Sequence, residues 1–242
     1  MKKFYTLLFV LAFAGLGLQA QDIIWGGPND PDGNFSNGLG NWTTVPISVA
    51  GGDLDSARWS WTPDGEFTNA AFWGNGSETP IASESGGGAV GFNSDYLDNG
   101  GDATDLGDGP AVGPQVSYLI SPVIDCSGES EVWLSFYSSY RVFQSSTYIS
   151  VSSDGGMSYD TTFFINGLDV PGESAVLTLD AIQQRIALDI SAVAANQDDV
   201  VVRFEWGDAA SPEFSGYYYY WMIDDVALTT RPTNELDLIT FF

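Results

Sequence analysis

Two carboxylates, Asp224 and Asp225, sit side by side inside the strongest β-forming run of the chain, Tyr217-Tyr-Tyr-Tyr-Trp-Met-Ile-Asp-Asp-Val-Ala-Leu228. A strand sends successive side chains to opposite faces. One of the pair is therefore expected to face inward or toward a packed rim. Such a carboxylate must find an arginine, backbone N–H groups or a metal ion, because desolvating an unpaired charge is costly. A second acidic pair, Glu205 and Asp208, flanks Trp206 and has the residue types of a glycoside-cleaving pair. A third group lies in Ser94-Asp-Tyr-Leu-Asp-Asn-Gly-Gly-Asp102, where three Asp side chains and flexible carbonyls share one loop. Hard cations such as calcium prefer oxygen donors of this kind, although the spacing is not that of an EF-hand loop.

Several chemistries are excluded. The chain has no histidine, so histidine-based triads, Cys–His pairs and His-ligated zinc all fail. No glycine-rich phosphate loop opens a helix. Cys126 is the single cysteine, so no intramolecular disulfide can form, and it reads as a small buried apolar residue rather than a reactive thiol. With thirty-two acidic residues, chance proximity accounts for any one carboxylate pair, and no intrinsic catalysis is expected.

The elements that must position these groups are strands. Period-two alternation bounded by Gly, Asn, Asp, Ser or Pro marks Glu131–Tyr140, Ser146–Ser152, Thr161–Ile165, Ala175–Thr178, Val200–Trp206 and Tyr217–Leu228. Weaker runs are Trp42–Val45, Ala89–Phe92 and Val116–Ile120. Asp180–Leu188 is the best helical candidate, or an irregular crossover. Asn93–Gly113 reads as a long loop rich in glycine and aspartate. Ser153-Asp-Gly-Gly156 reads as a tight hairpin. Many short strands with glycine-rich turns predict an all-β, two-sheet antiparallel sandwich.

Lys2 and Lys3 precede an apolar run, Leu7 to Leu16, and Leu18-Gln-Ala20 closes it. This is the pattern of a signal peptide over residues 1–20, too short to span a membrane. The exported chain then has five arginines and no lysine against the thirty-two acids. Nucleic acid and anionic membranes are poor partners for such a surface. Solubility in salt, or divalent-cation binding by Asp-rich loops, explains the charge. One domain is expected over residues 21–230. Residues 231–242 read as a linker and the start of a further strand; Leu236–Phe242 is expected to continue into a longer protein or to pair with another chain.

The order of landmarks resembles the MAM-like jelly-roll modules of bacterial secreted and surface proteins, over roughly residues 32–230. Phe35-Ser-Asn-Gly-Leu-Gly-Asn-Trp42 is similar to the opening pattern of that family. Leu119-Ile-Ser-Pro-Val-Ile-Asp125 with Val132-Trp-Leu-Ser-Phe136, and Tyr148-Ile-Ser-Val-Ser-Ser-Asp-Gly-Gly156, resemble its middle strands. Val200-Val-Val-Arg-Phe204 and Trp221-Met-Ile-Asp-Asp-Val226 resemble its last two. The resemblance implies a concanavalin-like jelly roll, often joined to peptidases, adhesins or sugar-active enzymes. Long relatives are often cargo of the type IX secretion route, which needs a C-terminal sorting domain; none is visible here. The resemblance also implies a calcium ion shared by a last-strand Asp and an early loop. Ser36 replaces the glutamate frequent near that ion, so the expected ligands are Asp224 or Asp225 with Asp95, Asp98 or carbonyls around Glu84. The alternative is that the Asp-rich loop is merely solvated and the strand Asp accepts from backbone or Arg203.

Flat aromatic rings on a jelly roll stack on sugar C–H faces. Candidates are Trp59, Trp61, Trp73, Tyr137, Tyr140 and Tyr218. Alternation puts Trp59 and Trp61 on one face, which is either the core or a ligand surface, and puts two of Tyr217–Tyr220 on each face. Asp55-Ser-Ala57 and Asp160-Thr-Thr162 match a short O-glycosylation pattern. The leading expectation is a non-catalytic extracellular or cell-surface module for adhesion or protein assembly, calcium-stabilised. The alternative is a carbohydrate-binding module appended to a catalytic region. Partners would be another chain at a strand edge, or surface glycans.

Overall fold

The computed structural model describes residues 22–67, 80–102, 104–141, 143–166, 182–210 and 216–230. The signal peptide expected over residues 1–20, Trp73, the strand expected at Ala175–Thr178 and the tail 231–242 lie outside the described residues. The chain folds as two antiparallel sheets packed face to face, a jelly-roll β-sandwich. One sheet has six strands: β3 (Ser60–Thr62), β4 (Ala89–Asn93), β11 (Tyr220–Thr229), β6 (Trp133–Arg141) and β9 (Ile182–Asp189) in that order, with β1 (Ile23–Gly26) also on β11. The other has five, in the order β2 (Thr43–Gly52), β5 (Ala111–Ile120), β10 (Val201–Trp206), β7 (Thr147–Ser152) and β8 (Thr161–Asn166).

Alternating positions of both sheets fill the space between them. Phe92, Phe136, Trp221 and Ile223 come from the six-stranded sheet; Leu119, Ile149, Val202, Phe204 and Trp206 come from the other. Trp221 and Phe136 each meet Phe204 across the layer, with ring centroids 5.7 and 5.1 Å apart. Cys126 is buried in this core, and burial pushes its thiol up to about 11, far from a reactive thiolate. β7 and β8 do form a hairpin, but the segment 153–160 joins them rather than a tight turn at Ser153–Gly156. The Asp154 carboxylate accepts from Ser152 Oγ, Ser158 N and Ser158 Oγ, which hold it down at about 2.

Three further expectations are corrected. Residues 182–188 of the helical candidate lie in strand β9, which pairs along its whole length with β6. Its buried stretch Ile186–Leu188 gains more from the sheet than short-range propensity offers a helix. A first short helix is α1 (Pro31–Asn34). The loop expected at Asn93–Gly113 contains a second, α2 (Ser94–Asn99), capped by the Asn93 side chain, and the first residues of β5. The last strand starts at Tyr220 rather than Tyr217, because Tyr218 and Tyr219 adopt left-handed backbone (φ 55° and 62°). Asp95 holds that turn: its Oδ1 accepts from Tyr219 N at 2.8 Å.

Candidate functional site

The paired aspartates form a β-bulge. On β11, Asp224 stands opposite Tyr137 and Ala227 opposite Ser135, so β11 carries one extra residue there. Asp225 takes it up at φ 51°, a left-handed conformation that Asp tolerates better than most residues. Ile223 before the bulge and Val226 and Leu228 after it all enter the core. The extra residue shifts the alternation by one, so neither aspartate points between the sheets. Both carboxylates meet the segment Ser83–Ser85 instead. Of the two expected directions, inward or toward a packed rim, both aspartates take the second, and both are fully buried at 0% exposure.

Asp224 Oδ2 accepts from Ser83 Oγ (2.5 Å) and Ser85 Oγ (3.1 Å), and its Oδ1 accepts from Asp225 N (2.8 Å). Asp225 Oδ2 accepts from Glu84 N (2.7 Å) and Ser85 N (3.2 Å). Asp225 Oδ1 is buried with no hydrogen-bond partner. Desolvation pushes Asp224 up to about 7, and the Asp225 charge adds to it. Arg185 ion-pairs with the exposed Glu84 at 3.3 Å. The orphaned oxygen, the second carboxylate and the serine hydroxyls make an all-oxygen donor set that fits a hard cation such as calcium.

Asp95 and Asp98 do not join this site. Asp95 bonds Tyr219 in the turn before β11, and the strand from Tyr220 to Asp224, about 13 Å long, separates the two. Asp98 Oδ1 accepts from Gly113 N at 3.0 Å. Asp95 is pushed up to about 7, first by burial, against the Tyr219 N–H bond and the Arg141 charge. Among the described residues, no three carboxylate, histidine or cysteine side chains converge as a metal site. A cation at Asp224–Asp225 would take its remaining ligands from hydroxyls and backbone carbonyls.

The aromatic candidates separate. Trp59 is a core residue against Phe92 and Trp221, and Tyr140 is buried with its hydroxyl donating to Ser145 O at 2.9 Å; neither offers a ring to a ligand. Tyr137 is half-buried against a small second cluster of Ile81, Ala89, Tyr220 and Met222. Tyr218 is half-buried, its ring stacked on Phe143 at 5.6 Å. Trp61 is 39% exposed and lines a surface cleft of about 370 Å³ with Tyr96, Asp64 and Glu66.

A second aromatic surface was not singled out from sequence. Val202, Phe204 and Trp206 face the core, so alternation turns Arg203 and Glu205 to the outer face of the five-stranded sheet. Register sets Glu205 between Tyr118 and Tyr148, and Arg203 beside Ser150. The Arg203 guanidinium lies over the rings of Tyr118 (4.2 Å) and Tyr159 (3.7 Å). Its Nε and Nη2 donate to Glu205 Oε1 at 3.0 and 2.9 Å, and Ser150 Oγ donates to the same oxygen. Phe164 packs its ring 5.5 Å from that of Tyr148. Burial raises the Tyr118, Tyr148 and Tyr159 hydroxyls, which stay protonated donors. With Glu205 ion-paired to Arg203 and Asp208 Oδ1 accepting from Ala210 N, the Glu205–Asp208 pair is not arranged as an acid and a base. The outward phase of Tyr148, Ser150, Arg203 and Glu205 was legible in each strand. The lateral order that brings Tyr118 beside them was not.

The fold and site define a jelly-roll β-sandwich with a buried carboxylate pair on its closing strand and an aromatic–arginine outer face. No family model and no curated protein matches the chain. Solved structures do. The K1 cleaved adhesin domain of Lys-gingipain from Porphyromonas gingivalis W83 is similar at 17% identity and TM-score 0.48, over 82% of this chain and 96% of that one. A carbohydrate-binding module in complex with β-1,4-galactotriose is similar at 11% and 0.43, over 85% and 99%. The second N-terminal cellulose-binding domain of Cellulomonas fimi β-1,4-glucanase C is similar at 16% and 0.33, over 89% and 98%. At these values the fold assignment rests on this chain's own strand order.

Proposed function

We propose that this chain is an exported, non-catalytic adhesion module that recognises neutral glycans on the outer face of its five-stranded sheet and is stabilised by calcium at Asp224–Asp225. The observation that carries the reading is the strip of Tyr118, Tyr148, Tyr159 and Phe164 around the Arg203–Glu205 pair. Rings supply apolar surface for sugar C–H faces. Arg203 and the tyrosine hydroxyls supply donors and acceptors for sugar hydroxyls. The buried Glu205, itself held by Ser150, keeps Arg203 in place. The strongly acidic composition works against anionic glycans and favours uncharged ones.

The test is a neutral-glycan array followed by calorimetry on the best binder. Tyr148→Ala should weaken binding roughly tenfold, equivalent to about 1.4 kcal/mol, with little change in thermal midpoint. Affinity unchanged by both Tyr148→Ala and Phe164→Ala would remove the sheet face from the function.

A further inference from the structure

We propose that the cleft between Trp61 and Tyr96 is a second sugar-binding site, on the opposite sheet, that takes one neutral hexose unit or chain end. Its walls are two aromatic rings on separate elements. Trp61 comes from edge strand β3 and Tyr96 from helix α2, and each is 39% exposed. Trp61 Nε1 donates to Phe35 O at 2.7 Å, which fixes the indole and leaves ring surface rather than the N–H for a ligand. A Cβ at position 88 would lie 2.9 Å from that nitrogen, so Gly88 leaves room for the clamp.

Acceptors line the same cleft. Asp64 Oδ1 accepts from Thr62 Oγ1 (2.7 Å) and Glu66 N (3.3 Å). Those bonds hold the Asp64 carboxyl below the ordinary carboxylate range, the threonine hydroxyl contributing most. It is therefore ionised at neutral pH. Glu66 lines the same cleft. Among the described residues β3 pairs with β4 alone.

These features select the ligand. Two carboxylates repel anions and demand a donor-rich partner; two flat rings demand apolar faces. A pyranose offers both, and the volume lies at the small end for ligand sites, suited to one or two rings. A lysine side chain would also satisfy carboxylates and rings, but its binding would fall steeply with salt, whereas sugar binding would not. A module with sugar sites on both sheets would bridge two glycan chains, or hold one with avidity if the chain can reach both sites.

The experiment uses the full chain at moderate salt, titrated by calorimetry with neutral hexoses and their β-1,4-linked trimers. Tyr96→Ala is the primary variant, because its ring is exposed and its hydroxyl bonds nothing among the described residues; Trp61→Ala is the second. The expected result is a binding event weakened at least tenfold by either variant and unaffected by Tyr148→Ala. If Tyr148→Ala abolishes all sugar binding and Tyr96→Ala none, the cleft is not a sugar site and the sheet face stands. If only Tyr96→Ala and Trp61→Ala act, the cleft stands and the sheet-face reading falls. Salt-sensitive binding of an oligolysine peptide, with no sugar response at the cleft, would overturn the proposal.

Discussion

Asp225 presents one carboxylate oxygen to two backbone N–H groups and a second, equally buried, to none. Beside it, Asp224 is raised to about 7 from 3.8. The sign of its linkage follows. Between about pH 4 and pH 7 the folded state keeps a proton that the unfolded state has lost, so stability falls as pH rises through that window. Asp95, also raised to about 7, acts in the same direction. In chelator the thermal midpoint should therefore drop from pH 5 to pH 8, by an amount on the order of a few kcal/mol in unfolding free energy. Asp224→Asn should flatten that slope in part, leaving the Asp95 share. Millimolar calcium at pH 7.5 should raise the midpoint of the native chain and not that of Asp225→Ala. A midpoint indifferent to both chelator and calcium at low salt would leave the pair as a purely hydrogen-bonded anchor. The two residues stood out in the sequence as charges within an apolar run. Their shared direction did not, because strict alternation forbids it.

At the scale of elements, the bulge is a junction. Before it, β11 pairs with β4 on one edge; after it, with β1 on that same edge, while β6 runs along the other throughout. The turn preceding β2 packs onto this point: Gly27 N donates to Val226 O at 2.8 Å, and a Cβ at Gly33 would come within 2.6 Å of that carbonyl. Inserting one further residue after Asp225 would shift the alternation again and turn Val226 and Leu228 outward. Each buried aliphatic is worth about 1.5–3 kcal/mol, so chemical denaturation of the insertion variant should show a loss of several kcal/mol or no cooperative transition. An insertion variant with native stability would mean that β11 can slip its register freely. β4, β6, β7, β8, β10 and β11 were legible from alternation to within a few residues at their ends; β2 and β5 run well beyond the marked Trp42–Val45 and Val116–Ile120, and β1 and β3 were not marked. β9 was not, since Ile182-Gln-Gln-Arg-Ile-Ala-Leu-Asp189 has no clean period of two and is strand through its pairing with β6. Nor were Tyr218 and Tyr219, whose β-forming side chains are overridden by the Asp95 bond and the left-handed turn.

Across the whole molecule, the formal charge of −25 is the dominant long-range field. Three ion pairs are formed among the described residues, two of them exposed and weak. Self-repulsion should therefore be screened by salt. Raising sodium chloride from low to physiological ionic strength, in chelator, should raise the thermal midpoint, since the Debye length shrinks to about 8 Å. Glycan affinity should be nearly flat over the same range for neutral sugars and should improve with salt for uronic or sulfated ones. A salt-dependent loss of neutral-sugar affinity would argue against stacking and hydrogen bonding as its source. Among the described residues no helix is long and apolar enough to cross a membrane.

The sequence by itself determined the class of architecture, the absence of histidine chemistry and of disulfides, and the acidity that selects among ligands. It also marked Asp224, Asp225 and the Glu84 neighbourhood, which do meet, and Trp61, which does reach solvent. Those properties are local or additive: alternation, composition and turn chemistry depend on neighbours along the chain. Only the tertiary structure decided that both aspartates face the same segment, that Trp59 and Tyr140 are core, and that Tyr118, Tyr148, Tyr159 and Arg203 form one surface. Each depends on which strand lies beside which and in what register. A single extra residue in one strand reverses the face of every side chain beyond it.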